Sequence, residues 1–439
     1  MFLIILDIIT IITSIYFLVI CGKHIFKGDS NMLDYCIIAF FAVQSFPLVM
    51  KMVLGIADSV MSHINVYHAM NDNLTCILYD CMVIVSLWIL ASFSNRIRKF
   101  EELDNNKKID KDIISIDLSN TSLSRTLSKI WITILLTILM FLPVIIVFFA
   151  PRPSIYLNFS YFITHSFSIN GADYLFHKTV VRATIYISIA AIWLRYYSKK
   201  NSSNLIIYIA IILNTWIDGK RTMFVFLLLG ILVIDLLKGK YNTHSNRQIT
   251  KTIIFALLIL GYFIYYNALT GKGTSYVFNH LYTFYFSRMS IVETAIYDKL
   301  YTNSMLDYPG QSVQFNVLAW IPRAIWPNKP VMYTFYFTRY AQNTVNFQNF
   351  NLMVNIWAEY ISNFSIFGPF LATLLLYWIA RQSQKSRSTI IYMIGTAFAV
   401  LYSVYGFEHI IMRMFYIWLL LVVLNKVKRH VRIGNYRLQ

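Results

Sequence analysis

Arg288, Arg323, Lys329 and Arg339 fall between Asn267 and Asn363, the longest part of this chain without an uninterrupted apolar run, and Glu359 lies near its end. Guanidinium groups pair bidentately with phosphate oxygens and an ammonium adds a point charge, so these cations suit an anionic, phosphate-bearing ligand. A second basic element, Asp218-Gly-Lys220-Arg221-Thr222, separates two apolar runs. Acids are scarcer. Glu359 in Trp357-Ala-Glu-Tyr360, and Glu408 with His409 one helical turn before Arg413, stand at the edges of apolar runs. A carboxylate or imidazole there suits general-base work on a hydroxyl. Each acid taken alone is also explained by a structural ion pair. Asp80 sits inside an apolar run, where an ionisable side chain marks a functional group or a hydrogen bond to a neighbouring helix.

The elements that must position these groups are membrane helices. Of 439 residues, 57% are hydrophobic and only 13% charged, with a mean hydropathy of +0.56. A helical span takes about 20 apolar residues. On that measure 2–20, 34–54, 73–94, 129–150, 180–197, 204–218, 222–237, 252–268, 363–380, 389–406 and 411–426 predict about eleven spans in an all-α polytopic protein. The net charge of +18 does not point to nucleic acid, because Lys and Arg cluster in short links between spans, as positive-inside topology requires. Those links alternate consistently with the N-terminus outside and the C-terminus inside. Met1–Ile20 lacks a basic leader and a small-residue cleavage site, so it reads as a retained span. Cys21, Cys36, Cys76 and Cys81 form no metal-type pair. No phosphate-binding Gly-Lys loop is present, which argues against a nucleotide-driven pump.

This layout predicts three parts: spans 1–8 over 1–268, a large outer loop over 269–362, and C-terminal spans with a basic tail over 363–439. Within the loop the residues Tyr276–Phe286 and Tyr333–Tyr340 are dense in aromatics. They fit anchoring at the membrane interface, and aromatic faces also stack on sugars. The Lys220-Arg221 pair is expected to face outward, against the positive-inside bias. An anionic partner at the outer edge explains it; so does a single bent hairpin over 204–237. Lys51, Arg152, Lys178, Arg182, Lys272 and Arg413 are further cations expected on the outer side.

Pro322-Arg323 with Trp326-Pro-Asn-Lys-Pro330, Glu359-Tyr360 with Asn363-Phe364 ahead of Gly368, and Gly219-Lys-Arg-Thr222 before an apolar run resemble bacterial O-antigen polymerases, also called oligosaccharide repeat-unit polymerases. The specific likeness covers about 215–380; the earlier half agrees in hydropathy. The resemblance implies a metal-independent, cofactor-free glycosyltransferase of the bacterial inner membrane, and a GT-C-like arrangement is compatible with it. Its substrates would be undecaprenyl-pyrophosphate-linked oligosaccharides, and its partners membrane lipid, a chain-length regulator and a flippase. The growing glycan would leave its carrier for a hydroxyl of the next lipid-linked unit. Lys220, Arg221, Arg288, Lys329 and Arg339 would bind the pyrophosphate, with Arg323 stabilising its departure and Glu359, Glu408 or His409 as base. Some members carry two comparable outer loops with an Arg-x10-Gly pattern; that pattern is absent here and the 151–179 loop is much shorter. Alternatives are the ligase that moves finished glycan to a lipid core, and a lipid-linked oligosaccharide flippase. The ligase family shows an outer-loop histidine, for which His280 is the one candidate in the long loop.

Overall fold

A computed structural model describes residues 2–27, 29–55, 63–106, 129–158, 171–198, 205–219, 288–347, 352–386, 388–407 and 409–437, with scattered residues between 223 and 265. Lys220, Arg221 and Glu408 lie outside the described residues, as do His280 and most of the expected spans 222–237 and 252–268. The described chain is all-helical, without strands. It separates into two compact units, one of Met1–Lys108 with Phe278–Gln439 and one of Ile109–Val277. Five helices among the described residues are long and apolar enough to cross a membrane: Phe2–Lys27, Met32–Val53, Asn73–Phe100, Gly171–Ser198 and Ile356–Lys385. Each falls on an expected span. Ile130–Met140, Leu205–Asp218 and Ile390–Tyr405 are apolar but shorter. The expected span 129–150 is broken at Phe141, where Pro143 removes a backbone donor at the start of Leu142–Val147.

In the first unit, α1 (Phe2–Lys27), α2 (Met32–Phe40), α3 (Phe46–Leu54), α4 (Ile64–Asn71) and α5 (Asn73–Asn106) come first. A π-helical turn, Phe41–Ser45, joins α2 to α3 and swings Gln44 and Ser45 inward. Ser45 donates to Ser14 of α1 at 2.8 Å, and Tyr79 of α5 donates to the Gln44 carbonyl at 2.9 Å. At the far end, Asp34 collects the Ser94 hydroxyl at 2.8 Å and the Arg98 guanidinium at 2.6 Å, while Asn31 caps α2. Buried away from water, a carboxyl group needs protein donors such as these in place of solvent.

In the second unit, α6 (Ile130–Met140), α7 (Leu142–Val147), α8 (Gly171–Phe176), α9 (Arg182–Ser198) and α10 (Leu205–Asp218) pack together, with a π-helical turn at His177–Val181. Ser188 of α9 and Asn214 of α10 both donate to the carbonyl of Met140, at 2.6 and 3.1 Å. That satisfies one orphan carbonyl at the end of α6 where water is scarce.

The segment 269–362, expected as an outer loop, is described from Arg288 onward. Its described residues form α11 (Met289–Tyr297), a π-helical turn at Asp298–Thr302, α12 (Gln311–Leu318), α13 (Tyr333–Ala341) and α14 (Ile356–Phe364), all within the first unit. α11 packs on α4, α5 and α14, and Met289–Ile296 are buried throughout. After α14 the chain turns at Ser365 (φ 52°) into α15 (Gly368–Lys385), so that span is bent. Gly368 permits the bend: a Cβ there would lie 2.5 Å from the Tyr360 carbonyl. α16 (Thr389–Tyr405) and α17 (His409–Arg437) complete the unit. Trp357 is fully buried, its ring edge-on to Phe40 of α2 at 4.8 Å between centroids.

Candidate functional site

Asn355 caps α14 by accepting from the Ala358 amide at 2.9 Å, which starts the helix one turn before Glu359. Glu359 therefore projects from the first turn of a helix, where the backbone dipole favours negative charge. Its side chain is fully buried. Oε1 accepts from Ser312 Oγ at 2.9 Å and Asn316 Nδ2 at 2.7 Å; Oε2 accepts from Tyr402 Oη at 3.2 Å. Asn363 braces the arrangement, donating to Ser312 Oγ at 2.7 Å and to the Glu359 carbonyl at 2.6 Å. Three neutral donors from α12 and α16 thus close around one carboxylate. Ser312 and Asn316 were not singled out in the sequence. Their four-residue spacing, which puts two polar side chains on one helix face, is the signal that reveals them.

α12 carries a second feature at its other end. Beyond it, Arg323 Nη1 donates to the Lys329 carbonyl at 2.9 Å and Nη2 to Pro330 at 3.4 Å. Lys329 Nζ reaches back to the carbonyls of Ala319 at 2.5 Å and Ile321 at 2.9 Å, and lies 5.4 Å from the centre of the Phe315 ring. The two cations tie the 319–330 turn shut, crossing one another's segments. Among the described ion pairs neither has a carboxylate partner. Partial burial and the adjacent Arg323 guanidinium pull the Lys329 ammonium below its usual range. Arg323 is exposed, and Trp320 and Ile325 beside it are 67% and 76% exposed. The turn therefore presents positive charge flanked by apolar side chains, the composition of a membrane interface.

Glu359 and this turn are linked by covalent geometry. Asn316 holds the carboxylate with its side chain, its carbonyl accepts from Tyr416 of α17 at 2.7 Å, and Ala319 follows within one helical turn. Arg339 is carried by α13. It reaches the Met305 carbonyl at 3.3 Å and Asp307 at 3.6 Å, and its guanidinium lies 5.4 and 5.1 Å from the centres of the Tyr336 and Phe347 rings. Arg288 is buried, its backbone N–H donating to Val43 at 3.2 Å and its side chain touching Met353 Sδ at 3.2 Å. His409 begins α17. In the second unit Arg152 pairs with the buried Asp173 at 2.9 Å and Arg182 with Asp218 at 3.8 Å, so these two cations, expected on the outer side, have acidic partners.

Below α13, the π-helical turn at Asp298 acts as a brace. Asp298 Oδ1 accepts from Thr302 Oγ1 at 2.7 Å and from the amides of Ser304 and Met305 at 2.8 and 3.1 Å. Burial pushes the phenol of Tyr340, which meets Thr302 at 2.8 Å, up to about 12. Burial likewise holds Tyr333, 2.7 Å from Ser362, well above its usual range. Both serve as neutral hydrogen-bonding struts between α13 and its neighbours.

Comparison with protein families, curated proteins and solved structures found no match to this chain.

Proposed function

We propose that this protein polymerises undecaprenyl-pyrophosphate-linked oligosaccharide repeat units, for an O-antigen or capsule, at the outer face of the bacterial inner membrane. The reading takes the chain as eleven spans with the 319–330 turn on the outer side. The observation that carries it is that turn: Arg323 and Lys329 stand together with no carboxylate partner among the described residues, beside exposed apolar side chains, at the end of the helix that engages Glu359. Pyrophosphate leaves with accumulating negative charge, and fixed cations at a water-poor interface stabilise that departure. Arg323 and Lys329 receive the leaving group. Arg288 and Arg339 stay in reserve as binders of the carrier.

Glu359 is sealed by three donors, so we assign it to positioning: it holds α12, and through α12 the cationic turn. Proton removal from the acceptor hydroxyl then falls to Glu408 or His409, which follow the helix that carries Tyr402. A second reading, transport of the lipid-linked oligosaccharide, draws support from Asp80, a buried acid within a span.

Surface polysaccharide resolved on a gel tests the proposal, comparing wild type, a deletion strain and Arg323→Ala. A single core-plus-one-repeat band in the deletion strain is the expected result, because ligation and flipping still operate. Complete loss of surface glycan would favour the ligase or the flippase, and an unchanged ladder would overturn the reading.

A further inference from the structure

The outer-loop site leaves one buried group unused. Asp80, on α5, is 1% exposed, and among the described residues no donor meets either carboxylate oxygen in good hydrogen-bond geometry. The group facing it is a second carboxyl, Asp7 of α1. The Thr10 hydroxyl lies beside Asp80 and is the neutral polar group of the pair's surroundings. Glu293 of α11 contributes a third acid nearby; Cys76, one turn before Asp80, donates to Glu293 Oε1 at 3.7 Å, and Lys51 of α3 lies near Cys76.

The placement is set by helix register. Asp7 and Cys21 on α1 are separated by the same number of residues as Asp80 and Ser94 on α5, about 21 Å of helix. Cys21 and Ser94 both meet Asp34 at one end. The parallel helices therefore bring Asp7 and Asp80 together at the other. The two ends contrast chemically: Asp34 has Arg98, two hydroxyl or thiol groups and a capping amide, whereas Asp80 faces a like group. Two carboxylates in contact, one of them fully buried, repel unless a positive charge lies between them.

We propose that Asp7 and Asp80 form a membrane-embedded site for one monovalent cation, a proton or a sodium ion, shared between the two carboxyls. The site stands independently of the glycan-transfer reading. Its occupancy sets how closely α1 and α5 approach at that end, since loss of the charge leaves only repulsion there.

Dicyclohexylcarbodiimide, which adds to a protonated carboxyl in an apolar setting, distinguishes the alternatives. The full-length protein in lipid nanodiscs is treated at neutral pH in sodium-free buffer, and adducts are located by peptide mass mapping. An adduct at Asp80 is expected. Labelling that sodium leaves unchanged assigns the proton; labelling that sodium suppresses and choline does not assigns the sodium ion. Absence of an Asp80 adduct in sodium-free buffer overturns the site. In Asp7→Asn the amide N–H donates to Asp80 and stabilises its charged form, so labelling should fall about tenfold, equivalent to roughly 1.4 kcal/mol. A variant that elutes as wild type yet labels at the wild-type rate would show that Asp80 acts without Asp7, and would equally overturn the pair.

Discussion

Replacing Glu359 separates a positioning role from a chemical one. Glu359→Ala strands three buried donors at once: Ser312 Oγ, Asn316 Nδ2 and Tyr402 Oη. A buried donor left unsatisfied costs about 1–3 kcal/mol, so the simple sum is roughly 3–9 kcal/mol. Shared relaxation makes the low end of that range the expected loss, because the three donors converge on one group and are not additive. Even about 3 kcal/mol is a large part of the 5–15 kcal/mol typical of a folded domain. Glu359→Gln keeps the shape: its amide oxygen still accepts from Ser312 and Asn316, and its NH2 group meets a Tyr402 hydroxyl that can rotate to accept. Hydrogen bonds to a charged acceptor exceed neutral ones by about 1 kcal/mol, so Gln should cost roughly 1–3 kcal/mol. Thermal unfolding of the purified protein, read beside the surface-glycan ladder, measures both. The expected order is wild type, then Gln, then Ala in stability, with the ladder retained in Gln. A Gln variant that unfolds like wild type but yields no ladder would refute the positioning assignment, since only the carboxylate chemistry would then have been lost.

Arg323→Ala should abolish polymer beyond the first repeat while shifting unfolding by no more than about 1 kcal/mol, because the side chain is exposed and its partners are carbonyls that water can replace. In vitro polymer formation should decline as pH rises through the depressed value of Lys329, where the ammonium loses its charge, and Lys329→Arg should remove that alkaline decline. For stability the sign is opposite: a lysine whose folded value lies below its unfolded one destabilises the fold while charged, and the penalty is relieved as pH rises. Gly368→Ala forces a Cβ against the Tyr360 carbonyl and should cost about 1–3 kcal/mol, seen as a lower unfolding temperature. Trp357→Ala empties the contact with Phe40 and should cost about 3–5 kcal/mol in the same assay.

Apolar run length was enough to place Phe2–Lys27, Met32–Val53, Asn73–Phe100, Gly171–Ser198 and Ile356–Lys385, because a helix in lipid must satisfy its own backbone and needs a set length. It was not enough to show that 289–364 folds into the first unit. Its part before Ile356 is too polar and too interrupted to register as a span, yet the buried α11 within it packs on α4, α5 and α14. The π-helical turns at Phe41–Ser45, His177–Val181 and Asp298–Thr302 left no sequence mark either. They insert a residue into an otherwise continuous helix, and only the partners they reach account for them.

The sequence by itself determined that this is an all-helical membrane chain, where most of its described spans fall, and that Arg323, Lys329 and Glu359 belong to one segment. Tertiary structure alone decided that Glu359 is enclosed by Ser312, Asn316 and Tyr402, that Arg323 and Lys329 clasp one turn, and that Asp7 meets Asp80. Hydropathy is a sum over neighbours in the chain, and it reads out locally. Which donor reaches which acceptor depends on helix register across dozens to hundreds of residues, and that is settled only when the helices pack.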